Sequence, residues 1–264
     1  MISAQELRRA ARERGLALDL VEKDYALGWL LHGIASSSIS SRIAFKGGTA
    51  LSKVYFPGDW RLSEDLDFTL LDDGELSTLI DGLSDEVSRN VREASDISVV
   101  MKKTPFNNPN YLQSRIQYSG PISKNTVKIE VSRERFVGPV VKKSVPRMFD
   151  YPAFEVRVYS LDNILAEKIR TLLERGKVKD YYDVWKILKA EKFESRQVKS
   201  LFLEKCKANG ISFVSAEQIF PADLANRLAP HMKIGLTRLS SEPLPSINDI
   251  ITELRTQLTP LLGK

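Results

Sequence analysis

Two aspartates one residue apart, Asp65 and Asp67, interrupt an apolar run in the segment Arg61-Leu62-Ser63-Glu64-Asp65-Leu66-Asp67-Phe68. On a strand, residues two apart share a face, so both carboxylates project to one side while Leu66, Phe68 and Leu70 project to the other. Carboxylates held side by side repel unless a cation sits between them. The chain has two histidines, His32 and His231, and one cysteine, Cys206, too few and too scattered for a zinc-type ligand set. An oxygen-held cation is therefore expected, Mg²⁺ first and Mn²⁺ as the alternative.

Shortly before this pair stands Phe45-Lys46-Gly47-Gly48-Thr49-Ala50-Leu51. A strand end, two glycines and a helix start let backbone N–H groups approach phosphate oxygens closely, and the helix start adds a favourable dipole. A turn of this kind also serves simple chain reversal, and Asp-X-Asp alone is common in solvated loops. Side by side, with the acidic pair inside a strand, they make a metal-and-phosphate site the better reading. A third acid on the same metal would come from Thr126-Val127-Lys128-Ile129-Glu130-Val131-Ser132. Its alternation puts Lys128, Glu130 and Ser132 on one face, which makes Glu130 the candidate ligand or, alternatively, a solvent-facing strand residue.

A second cluster lies further on. Ser160 is a good N-cap and Gly176 a good C′ residue, so a helix is expected between them, with Leu161, Ile164, Leu165, Ile169 and Leu172 as its buried stripe. Lys168 falls inside that stripe. Its ammonium either runs out to water along apolar surface or reaches a triphosphate. In the next helix Asp180 reads as an N-cap, and Asp183, on an apolar side, demands a partner among Lys168, Arg170 and Arg175.

The elements that must carry these residues can be read coarsely. Helical spacing over the first forty residues ends in the Ser-rich stretch Ser36 to Ser41. Strand-like runs follow at 43–45, 66–70, 97–101, 112–118, 127–131 and 154–159, with a helical stretch over 76–93. Pro139 and Pro146 bracket what reads as a basic connection. From residue 161 the pattern is helical, closing with a linker over 239–245 and an amphipathic helix carrying Ile250, Ile251, Leu254 and Leu258. The fold class is α/β (α+β), a small mixed sheet with flanking helices, divided into 1–159 and 160–264.

The chain has 264 residues, 42% hydrophobic, with 39 Lys and Arg against 34 Asp and Glu and a formal net charge of +5. That mild basic excess is compatible with phosphate-bearing partners. No run approaches a membrane span, the opening residues lack a signal-peptide plan, and the single cysteine forms no internal disulfide, so a cytoplasmic protein without membrane partners is expected.

Lys46-Gly47-Gly48-Thr49-Ala50-Leu51, Ser63-Glu64-Asp65-Leu66-Asp67-Phe68, Glu167-Lys168-Ile169-Arg170 with Leu173 to Arg175, and Lys179-Asp180-Tyr181-Tyr182-Asp183-Val184-Trp185 occur in this order. Together they resemble the AbiEii/AbiGii nucleotidyltransferase toxins, which include the MenT toxins and belong to the DNA polymerase β-like superfamily. The resemblance covers roughly residues 43 to 190. It implies a mixed-sheet core and a helical C-terminal part that completes the active site. It also implies Mg²⁺ on Asp65 and Asp67, NTP phosphates on the Gly47-Gly48-Thr49 loop flanked by Lys46 and Ser63, and functional roles for Lys168 and Asp183. Glu130 rests on the strand argument alone.

The implied activity is transfer of a nucleoside monophosphate from an NTP to an acceptor, the 3′ end of tRNA or another RNA, by a toxin of a toxin–antitoxin or phage-defence system with a cognate antitoxin. For an RNA acceptor, Lys142, Lys143, Arg147, Lys199, Lys205 and Lys207 are candidate backbone contacts. The alternatives are a small-molecule or protein acceptor, and a non-catalytic nucleotide-binding module.

Overall fold

Local signals set the first helices. α1 (Ala4–Arg14) opens on a capping box between Ser3 and Glu6 and ends at Gly15, whose φ of +62° suits a left-handed cap. α2 (Leu18–Ala35) is buried on nearly every side, as a helix running through a core must be. Its two buried acids are both satisfied. Glu22 accepts from the backbone N–H groups of Ile122 (2.7 Å) and Ser123 (3.0 Å), and Asp24 faces Lys53 at 2.6 Å and Arg14 at 3.2 Å.

A computed structural model describes residues 1–102 and 105–263, which fall into two units, Met1–Tyr159 and Ser160–Lys264. In the first unit, β1 (Ile43–Lys46) runs into a short helix α3 (Gly47–Ala50), prolonged by a wider turn over Leu51–Tyr55. Next come β2 (Asp65–Leu70), α4 (Val87–Ser95), β3 (Ser98–Met101), β4 (Phe106–Asn108), β5 (Tyr111–Ser119), β6 (Lys124–Ser132), β7 (Val140–Val145) and β8 (Phe154–Tyr159). They build one mixed sheet in the order β3-β5-β6-β2-β1-β8-β7, with β4 on β5. β2 runs parallel to β6, and β1 parallel to β8, whereas β1 and β2 are antiparallel.

Alternation decides the faces. Val127, Ile129 and Val131 of β6 and Leu112, Ile116 and Tyr118 of β5 are buried on one face, with α2 packed on β6 and α4 on β3, leaving the other face to the polar residues. Two segments differ from the sequence reading. The stretch between Pro139 and Pro146 is an edge strand, β7, antiparallel to β8. Its exposed Lys142 and Lys143 disguise it as a connection, although lysines are a usual guard on an edge strand. The helical stretch over 76–93 is broken into a 3₁₀ turn at Leu76–Leu79, a π turn at Gly82–Glu86 and then α4. At the break Gly82 packs so closely on Ile39 that a Cβ would lie 2.5 Å from its Cγ2.

The second unit is helical: α5 (Leu161–Glu174), α6 (Val178–Ala190), α7 (Ser195–Ala208), α8 (Leu224–Gly235) and α9 (Ile247–Leu262). Ser160 caps α5 by accepting from the Asn163 N–H, and Gly176 follows its end with φ +47°. α5 packs on α6 and α7, and α9 against α6, α7 and α8. Ile250, Leu254 and Leu258 form the buried stripe of α9. Among the described residues, no helix is long and apolar enough to cross a membrane.

Candidate active site

The parallel register of β2 and β6 places Asp67 opposite Glu130 and Asp65 opposite Lys128, while the antiparallel register of β1 places Lys46 opposite Asp67. Three strands thus bring Lys46, Asp65, Asp67, Lys128 and Glu130 onto one polar face. The glycine turn is built against them. Gly47 has φ +78°, and a Cβ there would lie 2.5 Å from Asp67 Oδ2. This position is closed to other residues twice over, by backbone conformation and by space. A Cβ on Gly48 would lie 3.1 Å from both Arg61 Nη2 and Ser63 Oγ. Thr49 donates its hydroxyl to the Asp65 carbonyl at 2.5 Å, tying the turn to the start of β2.

Electrostatics mark Asp67 as the strained member. Burial first, then the facing Glu130 and the neighbouring Asp65, push its carboxyl up to about 7 against the opposing pull of Lys46. Glu130 moves the other way. Burial raises it, but hydrogen bonds from Tyr111 and Lys128 prevail and hold it below the usual carboxylate range. Tyr111, across the sheet on β5, donates its hydroxyl to Glu130. Lys46 is almost fully buried, 2.5 Å from Glu134 and 5.7 Å from the centre of the Tyr159 ring.

Among the described residues, no group of three or more His, Cys, Asp and Glu is already arranged as a metal cage. The reason is visible in the ion pairs: the Lys128 ammonium lies 3.5 Å from Asp65 and 3.0 Å from Glu130. The donor set nevertheless fits a hard divalent cation, being three carboxylates on adjacent strands in a surplus that raises Asp67 toward neutrality. Asp65, Asp67 and Glu130 are the residues that would hold it.

Lys168 and Asp183 come together within the second unit. Lys168 reaches Asp183 at 2.9 Å and Asp180 at 3.2 Å, and Arg175 grips Asp180 through two 2.9 Å hydrogen bonds. Lys168 therefore stays inside instead of running out to water. Asp180 does not cap its helix. Lys177 holds the N-cap position and Asp180 is buried in the first turn. Burial opposes its ionisation, but the Lys168 ammonium and the Arg175 guanidinium prevail and hold its carboxyl at about 2. Lys205 is a second correction. It is buried against Glu167 at 3.2 Å, so it is no surface contact for RNA, whereas Lys142, Lys143, Arg147 and Lys207 are exposed and Lys199 is partly exposed.

Lys128, Tyr111, Arg61 and Glu134 were not singled out from sequence. Lys128 had a signal, since it shares the Glu130 face two residues away. The other three depend on strand register and on the packing of separate segments, which no local pattern carries.

A family model described as nucleotidyl transferase AbiEii toxin, type IV TA system, matches residues 29–252. No curated protein matches the chain. Among solved structures, MenT4, a nucleotidyltransferase toxin from Mycobacterium tuberculosis H37Rv, aligns with TM-score 0.68 at 17% identity, over 100% of this chain and 91% of that one. JHP933 from Helicobacter pylori aligns with TM-score 0.55 at 16% identity, over 94% of this chain and 93% of that one. At such identities the two structures speak for a shared fold, and it is the family match over most of the chain, with its acidic strand pair and glycine turn, that assigns it: the chain belongs to the AbiEii family of nucleotidyltransferase toxins.

Proposed function

We propose that this nucleotidyltransferase is divalent-metal-dependent, moves a nucleoside monophosphate from an NTP to RNA with the 3′ end of tRNA as acceptor, and acts in the cytoplasm under the restraint of a cognate antitoxin. The observation that carries the reading is the convergence of Asp65, Asp67 and Glu130 on one sheet face, with the Gly47 backbone seated against Asp67. Mg²⁺ held by these carboxylates would supply Lewis-acid polarisation of phosphate oxygens. In the reaction, an acceptor hydroxyl oxygen attacks the α-phosphorus, the α–β phosphoanhydride bond breaks, and pyrophosphate leaves.

The chain's own residues set the geometry. Gly47, Gly48 and Thr49 would present backbone N–H groups to phosphate oxygens, with Ser63 and Lys46 beside them. Asp67, whose carboxyl is pushed up to about 7 by burial and by the facing Glu130 and Asp65, would hold the ion in its ionised form. Lys168 and Asp183 enter the proposal as residues whose loss ends transfer, a role the resemblance implies and their burial as an ion pair supports. The exposed Lys142, Lys143, Arg147 and Lys207 offer phosphate contacts.

The test is incubation of purified protein with total RNA, Mg²⁺ and each α-labelled NTP in turn, beside Asp67→Ala. Label in a tRNA-sized band with the parent alone is the expected result and names the base. Nucleotide binding without label in any RNA overturns the RNA acceptor and moves the reading to a small molecule or protein.

A further inference from the structure

The alternation that selects Glu130 also puts Lys128 on the acidic face, and no step of the transfer reaction uses it. In the parallel register Lys128 lies opposite Asp65, two register positions from the Asp67 and Glu130 pair. Its ammonium is 3.0 Å from Glu130 Oε2 and 3.5 Å from Asp65 Oδ2, so it bridges two strands through two of the carboxylates that would hold a divalent ion. Its side chain is 26% exposed, which leaves a flexible stem free to withdraw into water. Around it, Tyr111 donates to Glu130 and the Lys46 charge lies near Asp67.

We propose that Lys128 is the resident counter-cation of the carboxylate cluster. It holds Asp65 and Glu130 together in the metal-free protein and competes with the divalent ion for their oxygens, so that metal loading requires the ammonium to swing out. The inference rests on the metal-site reading of Asp65, Asp67 and Glu130. Its physical basis is Coulombic: two positive charges within hydrogen-bond distance of the same oxygens exclude each other, whereas a neutral side chain of similar length leaves the acids bare for the metal.

The experiment is Mn²⁺ titration of the nucleotide-free protein by calorimetry, with melting temperatures in EDTA and in saturating Mn²⁺, for the parent, Lys128→Met, Lys128→Arg and Asp67→Ala. Lys128→Met is expected to bind Mn²⁺ at least about tenfold more tightly than the parent. It should also melt below the parent in EDTA, with the gap closing in Mn²⁺, while Lys128→Arg, which keeps the charge, binds Mn²⁺ no more tightly than the parent. Should the methionine variant fail to fold, Lys128→Gln gives the same reading. Binding to Lys128→Met equal to or weaker than the parent overturns the exchange and leaves the metal site standing. If no Mn²⁺ binding is lost in Asp67→Ala, the metal site itself falls, and the exchange with it.

Discussion

Replacing Lys168 by methionine keeps the length of the side chain and removes its charge from between two buried carboxylates. Asp180 retains Arg175 at 2.9 Å, and Asp183 is fully buried 2.9 Å from the ammonium. Stripping one partner from a buried ion pair costs about 3–5 kcal/mol. There is a ceiling, because Asp183 can take up a proton instead. At pH 7, protonating a carboxyl of ordinary pKa near 4 costs about 4 kcal/mol at about 1.4 kcal/mol per pH unit. The expected loss at pH 7 is therefore about 3–4 kcal/mol, and it should shrink to about 1 kcal/mol by pH 4, where protonation is nearly free.

The parent has the opposite dependence. Asp180 is held at about 2 against its ordinary 3.8, a stabilisation of about 2.5 kcal/mol. A depressed carboxyl contributes above its unfolded value and loses that contribution as pH falls, here between about 4 and 2. Urea denaturation of both proteins at pH 7 and pH 4, and of the parent also at pH 2, followed by circular dichroism, reads both effects. A loss under about 1 kcal/mol at pH 7, or an equal loss at both pH values, refutes the buried-pair account.

Gly47→Ala should cost about 2 kcal/mol or more through its positive φ and the approach to Asp67, and should lower transfer at least about a hundredfold by displacing that carboxylate; denaturation and labelling at parental levels would count against this. Asp67→Asn, which removes one of three facing acids, should raise the melting temperature of the metal-free protein by about 2–6 °C, and a fall would show that the acids do not repel there. Lys205→Met should lower stability with RNA affinity unchanged, because its ammonium belongs to Glu167. Lys142→Ala with Lys143→Ala should reduce the slope of log affinity against log salt by about 1.5, read by filter binding across a salt series.

The parts of the fold that were legible in sequence are those whose signals are local. Ser160 and Gly176 delimit α5 because a cap and a left-handed stop act within one turn of the helix they bound. Glu130 and its neighbours alternate because one face of β6 is core and the other is not. Asp183 could be assigned a partner among Lys168, Arg170 and Arg175, because a lone charge is not tolerable on an apolar helix face, and the structure pairs it with Lys168. Asp180 was misread as a cap, since its real partners, Lys168 and Arg175, precede it across a helix–helix turn. β7 was missed because an edge strand with lysines presents no alternation of burial. Lys205 had a usable signal: it falls four residues after Leu201 and seven after Val198, inside the buried stripe of α7. The seating of Gly47 on Asp67 and of Gly48 on Arg61 and Ser63 joins segments thirteen to twenty residues apart, and pattern alone cannot show it.

The central claim is that Asp65, Asp67 and Glu130 hold the ion on which transfer depends. The most direct measurement is release of pyrophosphate with label transfer to RNA, in Mg²⁺ and in EDTA, by the parent and by Asp65→Asn, Asp67→Asn and Glu130→Gln, each verified as folded. The account predicts transfer by the parent in Mg²⁺ and loss in EDTA and in every variant. Transfer at the parental rate in EDTA, or by Asp67→Asn in Mg²⁺, would contradict it.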